Sequence, residues 1–133
     1  MTTINLLVVD DSGVMRSMIL KSIRMSGLSL GEVHEASNGQ EGLDSLKKHD
    51  IDLVIIDINM PVMNGEQMID NMKGNPDTKD IPTVVISTEG SELRLERLQE
   101  KGVSFIHKPF SPEKIRDTIK NIMKKGGADE TAN

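Results

Sequence analysis

The sequence contains no cysteine, tryptophan or tyrosine, and phenylalanine occurs only twice among its 133 residues. The absence of cysteine excludes disulfides, thiolate metal sites and cysteine nucleophiles, and it is compatible with a reducing compartment. With so few aromatic rings, the core must consist of aliphatic side chains and of the nine methionines. A chain of this length can bury such a core as one domain without covalent cross-links.

The sequence also lacks long apolar runs and an excess of positive charge. No apolar stretch approaches the roughly 20 residues that a membrane-spanning helix needs, and no basic leader typical of a signal peptide is visible. The net charge of −5 argues against nucleic acid as a direct partner. We therefore expect a cytoplasmic protein that binds neither membranes nor nucleic acid.

Short apolar runs alternate with segments whose apolar residues recur at helical spacing. The apolar runs are residues 4–9, 33–36, 53–56, 83–86 and 103–106. Strands that are apolar on both faces need helices on both faces, so the sheet should be parallel. The sequence therefore predicts an α/β fold, a doubly wound, five-stranded parallel sheet with five helices in a flavodoxin-like three-layer sandwich. The predicted domain spans residues 1–125, and residues 126–133 are predicted to form a flexible tail.

Four of the predicted strands lead directly into residues that can take part in chemistry. They are Asp10 and Asp11 after the first strand, Asp57 after the third, Ser87 after the fourth and Lys108 after the fifth. In an open parallel sheet, ligands bind beyond the carboxyl ends of the strands. We therefore expect three carboxylates, a hydroxyl and an ammonium group to meet at one edge of the sheet.

This set of side chains is typical of a phosphoryl site that uses magnesium. Three neighbouring carboxylates repel one another, and Mg²⁺ relieves this because it prefers oxygen ligands and phosphate oxygens. Lys108 can meet an incoming phosphoryl oxygen, and Ser87 can donate a hydrogen bond to another. A carboxylate would then serve as the nucleophile. Nothing in this set could make a soft metal site, so zinc and copper are not expected there. Three histidines do not cluster in sequence and receive no metal or catalytic role: His34, His49 and His107.

Four segments resemble the signatures of two-component response-regulator receiver domains, in the same order and spacing. They are residues 8–12, 57–65, 86–87 and 108–110. The resemblance extends to about Lys125. It is nearest to single-domain chemotaxis (CheY-like) regulators, because Asp11-Ser12 leads into Met15-Arg16 and no output domain follows. It implies a CheY-like fold and a signalling domain rather than an enzyme.

The resemblance implies a role for each matching residue of the site. Asp57 corresponds to the phosphoacceptor, and Asp57 and Asp11 correspond to direct Mg²⁺ ligands. Asp10 corresponds to the acid that acts mainly through metal-bound water. The backbone carbonyl of Asn59 corresponds to the remaining protein ligand. Lys108 corresponds to the phosphate-binding lysine, and the bond between Lys108 and Pro109 is expected to be cis.

The resemblance also implies a switch and a means of tuning dephosphorylation. Ser87 corresponds to the switch hydroxyl, and Phe105 to the aromatic residue that rotates with it. Phe105 lacks the hydroxyl that a tyrosine would bring, so its ring cannot donate a hydrogen bond to a partner. Asn59 and Glu89 stand at the two positions that tune dephosphorylation in the family. Residues 64–65 are interpreted only as a loop turn beside the acceptor.

The implied function is that of a single-domain response regulator. It would accept a phosphoryl group from a histidine kinase or phosphotransfer domain, catalyse its own phosphorylation and dephosphorylation, and change its partner-binding face. The downstream partner would be a target such as a flagellar switch protein in chemotaxis, and the chain is expected to be a monomer. Three alternatives remain open: a phosphorelay intermediate, a regulator outside chemotaxis, and the first part of a longer regulator cut at residues 126–127.

Two other classes of protein fit the residues less well. A phosphatase of the haloacid-dehalogenase type uses an aspartate nucleophile, but it needs a second acid where Asn59 stands. A flavodoxin-like redox carrier needs a phosphate loop rich in glycine and hydroxyl groups after the first strand. It also needs aromatic rings that cover a flavin, and this chain has only two phenylalanines.

Overall fold

The computed structural model describes residues 3–88 and 90–126, in which five strands alternate with five helices. The elements are β1 Ile4–Val9, α1 Gly13–Met25, β2 Leu30–Ala36, α2 Gly39–Lys48, β3 Leu53–Ile56, α3 Gly65–Lys73, β4 Thr83–Ser87, α4 Glu92–Glu100, β5 Ser104–His107 and α5 Pro112–Gly126. This alternation confirms the predicted α/β fold. The predicted tail lies outside the described residues apart from Gly126, with which α5 ends.

The strands form a single parallel sheet in the order β2-β1-β3-β4-β5. The chain moves outward from β1 to β2 and then returns past β1 to β3, so the direction of winding reverses between β1 and β3. In open parallel sheets, ligands bind outside the carboxyl ends of the strands at such a reversal. The topology therefore locates the candidate site where β1 and β3 end.

Helices cover both faces of the sheet, which explains why its central strands are almost entirely apolar. In β1, Leu7 and Val9 pack toward α2, α3 and α4, whereas Leu6 and Val8 pack toward α1 and α5. All four side chains are fully buried. Burial of each such side chain stabilises the fold by about 1.5–3 kcal/mol, so the strand that carries the acidic pair is firmly held.

The edge strand β2 is longer than predicted, because it begins at Leu30 rather than at Val33. An edge strand has solvent on one side, and Glu32 is exposed, so the apolar pattern is weak where the added residues lie. A side chain supports the extension, since the Glu32 N–H donates to Asn5 Oδ1 at 2.9 Å. The prediction failed here because it relied on apolar residues alone.

Residues 64–65, interpreted from the sequence only as a loop turn, begin α3 instead. Asn64 Oδ1 accepts a hydrogen bond from the Gln67 N–H at 2.8 Å, and Gln67 Oε1 accepts one from the Asn64 N–H at 3.0 Å. This capping box satisfies one N–H of the first helical turn and the N–H of the capping residue itself. It fixes the point at which the loop from Asp57 enters α3.

Candidate functional site

The carboxyl ends of β1 and β3 bring three carboxylates together. Asp10 and Asp11 follow β1 directly, and Asp57 follows β3, with its N–H donating to the Val9 carbonyl at 2.9 Å. One carboxylate oxygen from each aspartate lies within 4.8 Å of the other two. Asp10 is buried, Asp57 is half-buried and Asp11 is exposed, so the cluster opens to solvent on one side.

Asp10 is the most enclosed of the three acids, with 2% of its surface exposed. Its Oδ1 accepts a hydrogen bond from the Ser12 N–H at 2.9 Å. Its Oδ2 is buried and has no hydrogen-bond partner within the part of the chain that the structure describes. Burial raises the pKa of Asp10 above its usual value, although the Ser12 N–H and Lys108 oppose this shift.

Lys108 reaches the acidic cluster from the end of β5. Its Nζ lies 3.8 Å from Asp10 Oδ2 and 3.8 Å from Asp57 Oδ1. These distances allow electrostatic attraction but are too long for hydrogen bonds. The Lys108 N–H donates to the Ser87 carbonyl at 3.0 Å, and the bond to Pro109 is cis, as expected. Lys108 is therefore held beside both acids while its ammonium group keeps room for another partner.

The surroundings of Asp57 also disfavour the negative charge of its own carboxylate. Burial raises the pKa of Asp57; Lys108 lowers it, and the neighbouring Asp10 raises it further. The three acids thus repel one another, and one buried oxygen, Asp10 Oδ2, has no hydrogen-bond partner among the described residues. Each of the three side chains offers a carboxylate oxygen as its metal-binding atom. This combination fits a small hard cation such as Mg²⁺, which would satisfy the Asp10 oxygen and keep the carboxylates ionised.

The two predicted switch residues lie on neighbouring strands. Ser87 is the last residue of β4 and is buried, and the backbone register pairs it with His107. Phe105 pairs with Val85 in the same register and is half-buried. Its ring lines a groove between α4 and α5, and it makes an edge-to-face contact with His107 at a centroid distance of 5.1 Å.

The structure describes only one of the two residues that are predicted to tune dephosphorylation. Asn59 is exposed in the loop after β3, which is compatible with a position beside the acceptor. Its roles as a backbone ligand and in dephosphorylation stay predictions. Glu89 lies outside the described residues.

Sequence reasoning missed two residues that shape the site. Gly65 packs directly against the end of β3, where a Cβ atom would overlap the Asp57 carbonyl oxygen and approach Ile58 Cα. The signal available in the sequence was the Asn-Gly pair, which was interpreted as a turn. Arg16 Nη1 donates to the Asp10 carbonyl at 2.6 Å while its Nε donates to Glu35 at 2.7 Å. No local pattern reveals this bridge, because it joins α1 to the end of β1 and to β2, which are brought together only by the fold.

Residues 6–120 match the response regulator receiver domain. The chain belongs to the response-regulator receiver family. It is 33% identical over 129 residues to a chemotaxis protein CheY homolog of Campylobacter jejuni, a match that covers 96% of this chain and 98% of the relative. It is 34% identical over 120 residues to chemotaxis protein CheY1 of Helicobacter pylori, covering 89% and 95% of the two chains.

A solved structure supports the same assignment for this receiver domain. The chemotaxis response regulator CheY4 of Vibrio cholerae superposes with a TM-score of 0.79 at 30% sequence identity. The superposition covers 91% of this chain and 99% of that one. The protein is thus a receiver domain of the CheY-like type, which is a signalling domain rather than a classical enzyme.

Two general properties of receiver domains bear on this chain. They typically bind Mg²⁺ in an acidic pocket, and the cluster of Asp10, Asp11 and Asp57 is the candidate pocket here. CheY-like receiver domains interact with histidine kinases and with downstream targets. Within residues 3–88 and 90–126, none of the helices has the length and apolar character required to span a bilayer.

Proposed function

We propose that Asp57 of this receiver domain accepts a phosphoryl group from a phosphohistidine of a histidine kinase or phosphotransfer domain. The observation that carries the proposal is the position of Asp57 beside Asp10, Asp11 and Lys108 at one edge of the sheet. A carboxylate oxygen of Asp57 attacks phosphorus, the phosphorus–nitrogen bond of the donor breaks, and the imidazole leaves. The product is an acyl phosphate, and its hydrolysis returns the carboxylate and inorganic phosphate.

The residues around Asp57 prepare it for this reaction. Asp10, Asp11, Asp57 and the Asn59 carbonyl would hold Mg²⁺, which when bound supplies positive charge against the transferred group. Lys108 adds a second positive charge, 3.8 Å from Asp57 Oδ1. Both charges favour the ionised carboxylate, which burial alone disfavours. The domain would thereby catalyse its own phosphorylation without being an enzyme that acts on other molecules.

The proposed output is a change in the face formed by α4, β5 and α5. A phosphoryl group adds roughly −1.5 to −2 charge and three strong acceptor oxygens, and the Ser87 hydroxyl can donate to one of them. Movement of the Ser87 hydroxyl toward the phosphoryl group would open space behind it. The Phe105 ring can turn into that space, away from the groove between α4 and α5. Such a switch shifts an existing balance between two conformations by as much as the phosphoryl group prefers one of them.

A chemotaxis role is the favoured setting for this switch. The support is that relatives matching nearly the whole chain are named chemotaxis proteins. On this proposal the domain acts as a cytoplasmic monomer that signals to a target such as a flagellar switch protein, and Asn59 and Glu89 set how quickly the signal decays. A phosphorelay intermediate would instead pass the group on to another histidine, which incubation of the labelled protein with a phosphotransfer domain would reveal.

Labelling with a small phosphodonor tests the phosphoacceptor directly. Acetyl phosphate with Mg²⁺ should add one phosphoryl group to the wild-type protein, seen by intact mass, and none to Asp57→Asn. Asp44→Asn is the matched control, because it makes the same change at an exposed aspartate of α2 and should label like the wild type. Full labelling of Asp57→Asn, or loss of labelling in Asp44→Asn alone, would contradict the proposal.

The switch is tested by the response to a phosphoryl mimic. Beryllofluoride with Mg²⁺ should shift backbone amide resonances of α4, β5 and α5 in the wild type. Ser87→Ala should still bind the mimic, with the shifts near Phe105 much reduced. Equal shifts in both proteins would show that the hydroxyl does not transmit the signal.

A further inference from the structure

Three side chains that are able to ligate a metal meet at the outer edge strand of the sheet and are separate from the acidic cluster. Glu32 and His34 lie on the edge strand β2, and His49 follows the last residue of α2. Ligand atoms of all three lie within 4.8 Å of one another. Glu32 Oε1 lies 3.0 Å from His34 Nε2. The rings of His34 and His49 stack with centroids 3.7 Å apart and an angle of 16° between their planes.

The fold brings these residues together although they are spread over the sequence. Glu32 and His34 are two positions apart on a strand, so their side chains point to the same face. His49 caps the end of α2, where its N–H donates to the Ser45 carbonyl at 3.0 Å. Because α2 packs against β2, the capping residue returns to the strand that precedes the helix. The cluster is therefore positioned by β2 on one side and by the end of α2 on the other.

The donor atoms differ in kind from those of the acidic cluster. The acidic cluster offers only carboxylate oxygens, whereas this one offers two imidazole nitrogens and one carboxylate. Imidazole suits zinc, copper and nickel, and a pair of histidines with one glutamate is a ligand set that zinc uses in proteins. We propose that Glu32, His34 and His49 form a second metal site, which takes a divalent ion of the zinc type rather than magnesium.

The ligand atoms are close enough for one ion, but the two rings must first leave their stacked arrangement, because imidazole binds a metal through a lone pair that lies in the ring plane. Metal–nitrogen bonds of about 2.0–2.1 Å in a tetrahedral site place ligand atoms roughly 3.3 Å apart, so binding requires rotation of at least one histidine ring toward the shared ion. The Glu32 side chain is 67% exposed and that of His34 is 24% exposed. Water can therefore fill the fourth position. An ion held here would join the edge strand to the end of α2 and would exchange with solution.

The chain offers few competing nitrogen or sulfur donors for such an ion. It has no cysteine, and His107 is its one further histidine. His107 lies at the end of β5 and contacts Phe105, on a different part of the sheet. It therefore provides a matched control, a histidine in the same protein that the site does not include.

Zinc titration with excess magnesium present separates the two metal sites. In isothermal titration at neutral pH, the wild type and His107→Ala should each bind one Zn²⁺ while Mg²⁺ occupies the acidic cluster. His34→Ala and His49→Ala should weaken Zn²⁺ binding by at least about tenfold, since each removes a ligand. Asp11→Asn should leave Zn²⁺ binding unchanged, which distinguishes this site from the proposed phosphoryl site.

The imidazole proton resonances provide a second readout that needs no variant. Substoichiometric Zn²⁺ should shift the resonances of His34 and His49 and leave those of His107 in place, and Mg²⁺ should move none of the three. Absence of Zn²⁺ binding by the wild type would overturn the proposal. So would binding that persists in both His34→Gln and His49→Gln, which keep a polar side chain and are checked for folding by circular dichroism. The stacked rings and the ion pair would then be surface contacts only.

Discussion

Gly65 shows at the scale of one residue how tightly the phosphoacceptor is positioned. A side chain at this position would overlap the Asp57 carbonyl oxygen, and the Gly65 N–H donates to the Ile58 carbonyl at 2.8 Å. Backbone atoms block the space, so relief requires moving either α3 or the end of β3. The glycine therefore acts on the chemistry without touching a phosphoryl group.

Gly65→Ala should lower the free energy of unfolding by about 2–4 kcal/mol, the range of severe packing defects. It should also slow labelling by acetyl phosphate, because Asp57 shifts with its backbone. The measurements are chemical denaturation and intact mass against time. Gly74→Ala is the control at the other end of α3, where an added Cβ would meet only ordinary contacts beginning at 3.5 Å. It should change stability by less than about 1 kcal/mol, and an equal loss in both variants would show that the close approach is not the cause.

The charge on Asp57 should cost stability while no cation is bound. Burial and Asp10 raise the pKa of Asp57, so the folded state binds protons more readily than the unfolded state does. For an acid shifted in this direction, stability rises as pH falls through the folded pKa and is lower above it. Removing the charge should therefore stabilise the metal-free protein at neutral pH.

We predict that Asp57→Asn raises the free energy of unfolding at pH 7 when Mg²⁺ is absent, because it removes a charge that burial and Asp10 disfavour. The gain should shrink as the pH falls toward the range in which the wild-type carboxyl takes up a proton. Adding Mg²⁺ should stabilise the wild type and have less effect on the variant, because the ion binds the folded carboxylates. Denaturation with and without Mg²⁺ at several pH values measures this. A variant less stable than the metal-free wild type at neutral pH would contradict the electrostatic account.

Several residues of the site were predictable because each ends a strand. Asp10, Asp57 and Lys108 follow β1, β3 and β5, and parallel strands deliver their ends to one edge. The unpartnered Oδ2 of Asp10 could not be predicted, since hydrogen-bond satisfaction depends on every neighbouring side chain. The conformation of Val62 was equally hidden, with its φ of 69° in the loop after Asp57, because a branched residue gives no sign that it adopts a left-handed backbone.

At the scale of elements, an ionic cluster joins α3 to α4. Glu66, in the first turn of α3, accepts two hydrogen bonds of 2.9 Å from Arg97 and one of 3.2 Å from Lys101, both of which belong to or directly follow α4. The Glu66 side chain is only 15% exposed. These contacts tie α4, part of the proposed output face, to the residue that follows Gly65.

The hydrogen bonds from Arg97 are the main cause that lowers the pKa of Glu66 to about 2. For an acid lowered from its usual 4.5, the stabilisation is fully present above that value and is lost as pH falls toward about 2. Glu66→Gln should therefore reduce the free energy of unfolding by about 1–2 kcal/mol at pH 7, less than the full shift implies because Arg97 is half exposed and screened by salt. The difference from the wild type should vanish near pH 2.

Glu96→Gln is the matched control, because Glu96 is exposed on α4 and no contact of its side chain with α3 is seen among the described residues. Its stability should follow that of the wild type at every pH. A pH-independent effect of Glu66→Gln would mean that shape rather than charge joins the two helices.

The elements were predicted with unequal success, for reasons that lie in their surroundings. Strands buried on both faces, such as β1 and β3, were placed with correct bounds because their residues are almost all apolar. The edge strand β2 was begun three residues late, since solvent permits polar residues there. The start of α3 was missed because an Asn-Gly pair is common to turns and to helix caps, and only the reciprocal bonds between Asn64 and Gln67 distinguish them.

At the scale of the whole molecule, a single sheet carries two clusters of possible metal ligands at two different edges. Its carboxyl edge gathers oxygen donors and a lysine from three strands, and its outer edge at β2 holds the histidine cluster. The order of the strands is set by how helices pack on both faces, which no local pattern encodes, so the position of either cluster relative to the other could not be predicted from the residues alone.

The account depends most on Asp57 being the residue that accepts the phosphoryl group. Locating the modified residue tests this most directly. The protein is labelled with acetyl phosphate and Mg²⁺, the acyl phosphate is reduced with borohydride, and the peptides are sequenced by mass spectrometry. Reduction converts an aspartyl phosphate to homoserine, which we predict at position 57 and at no other aspartate. Homoserine at another position, or phosphate found on a serine or histidine while residue 57 is unchanged, would contradict the account.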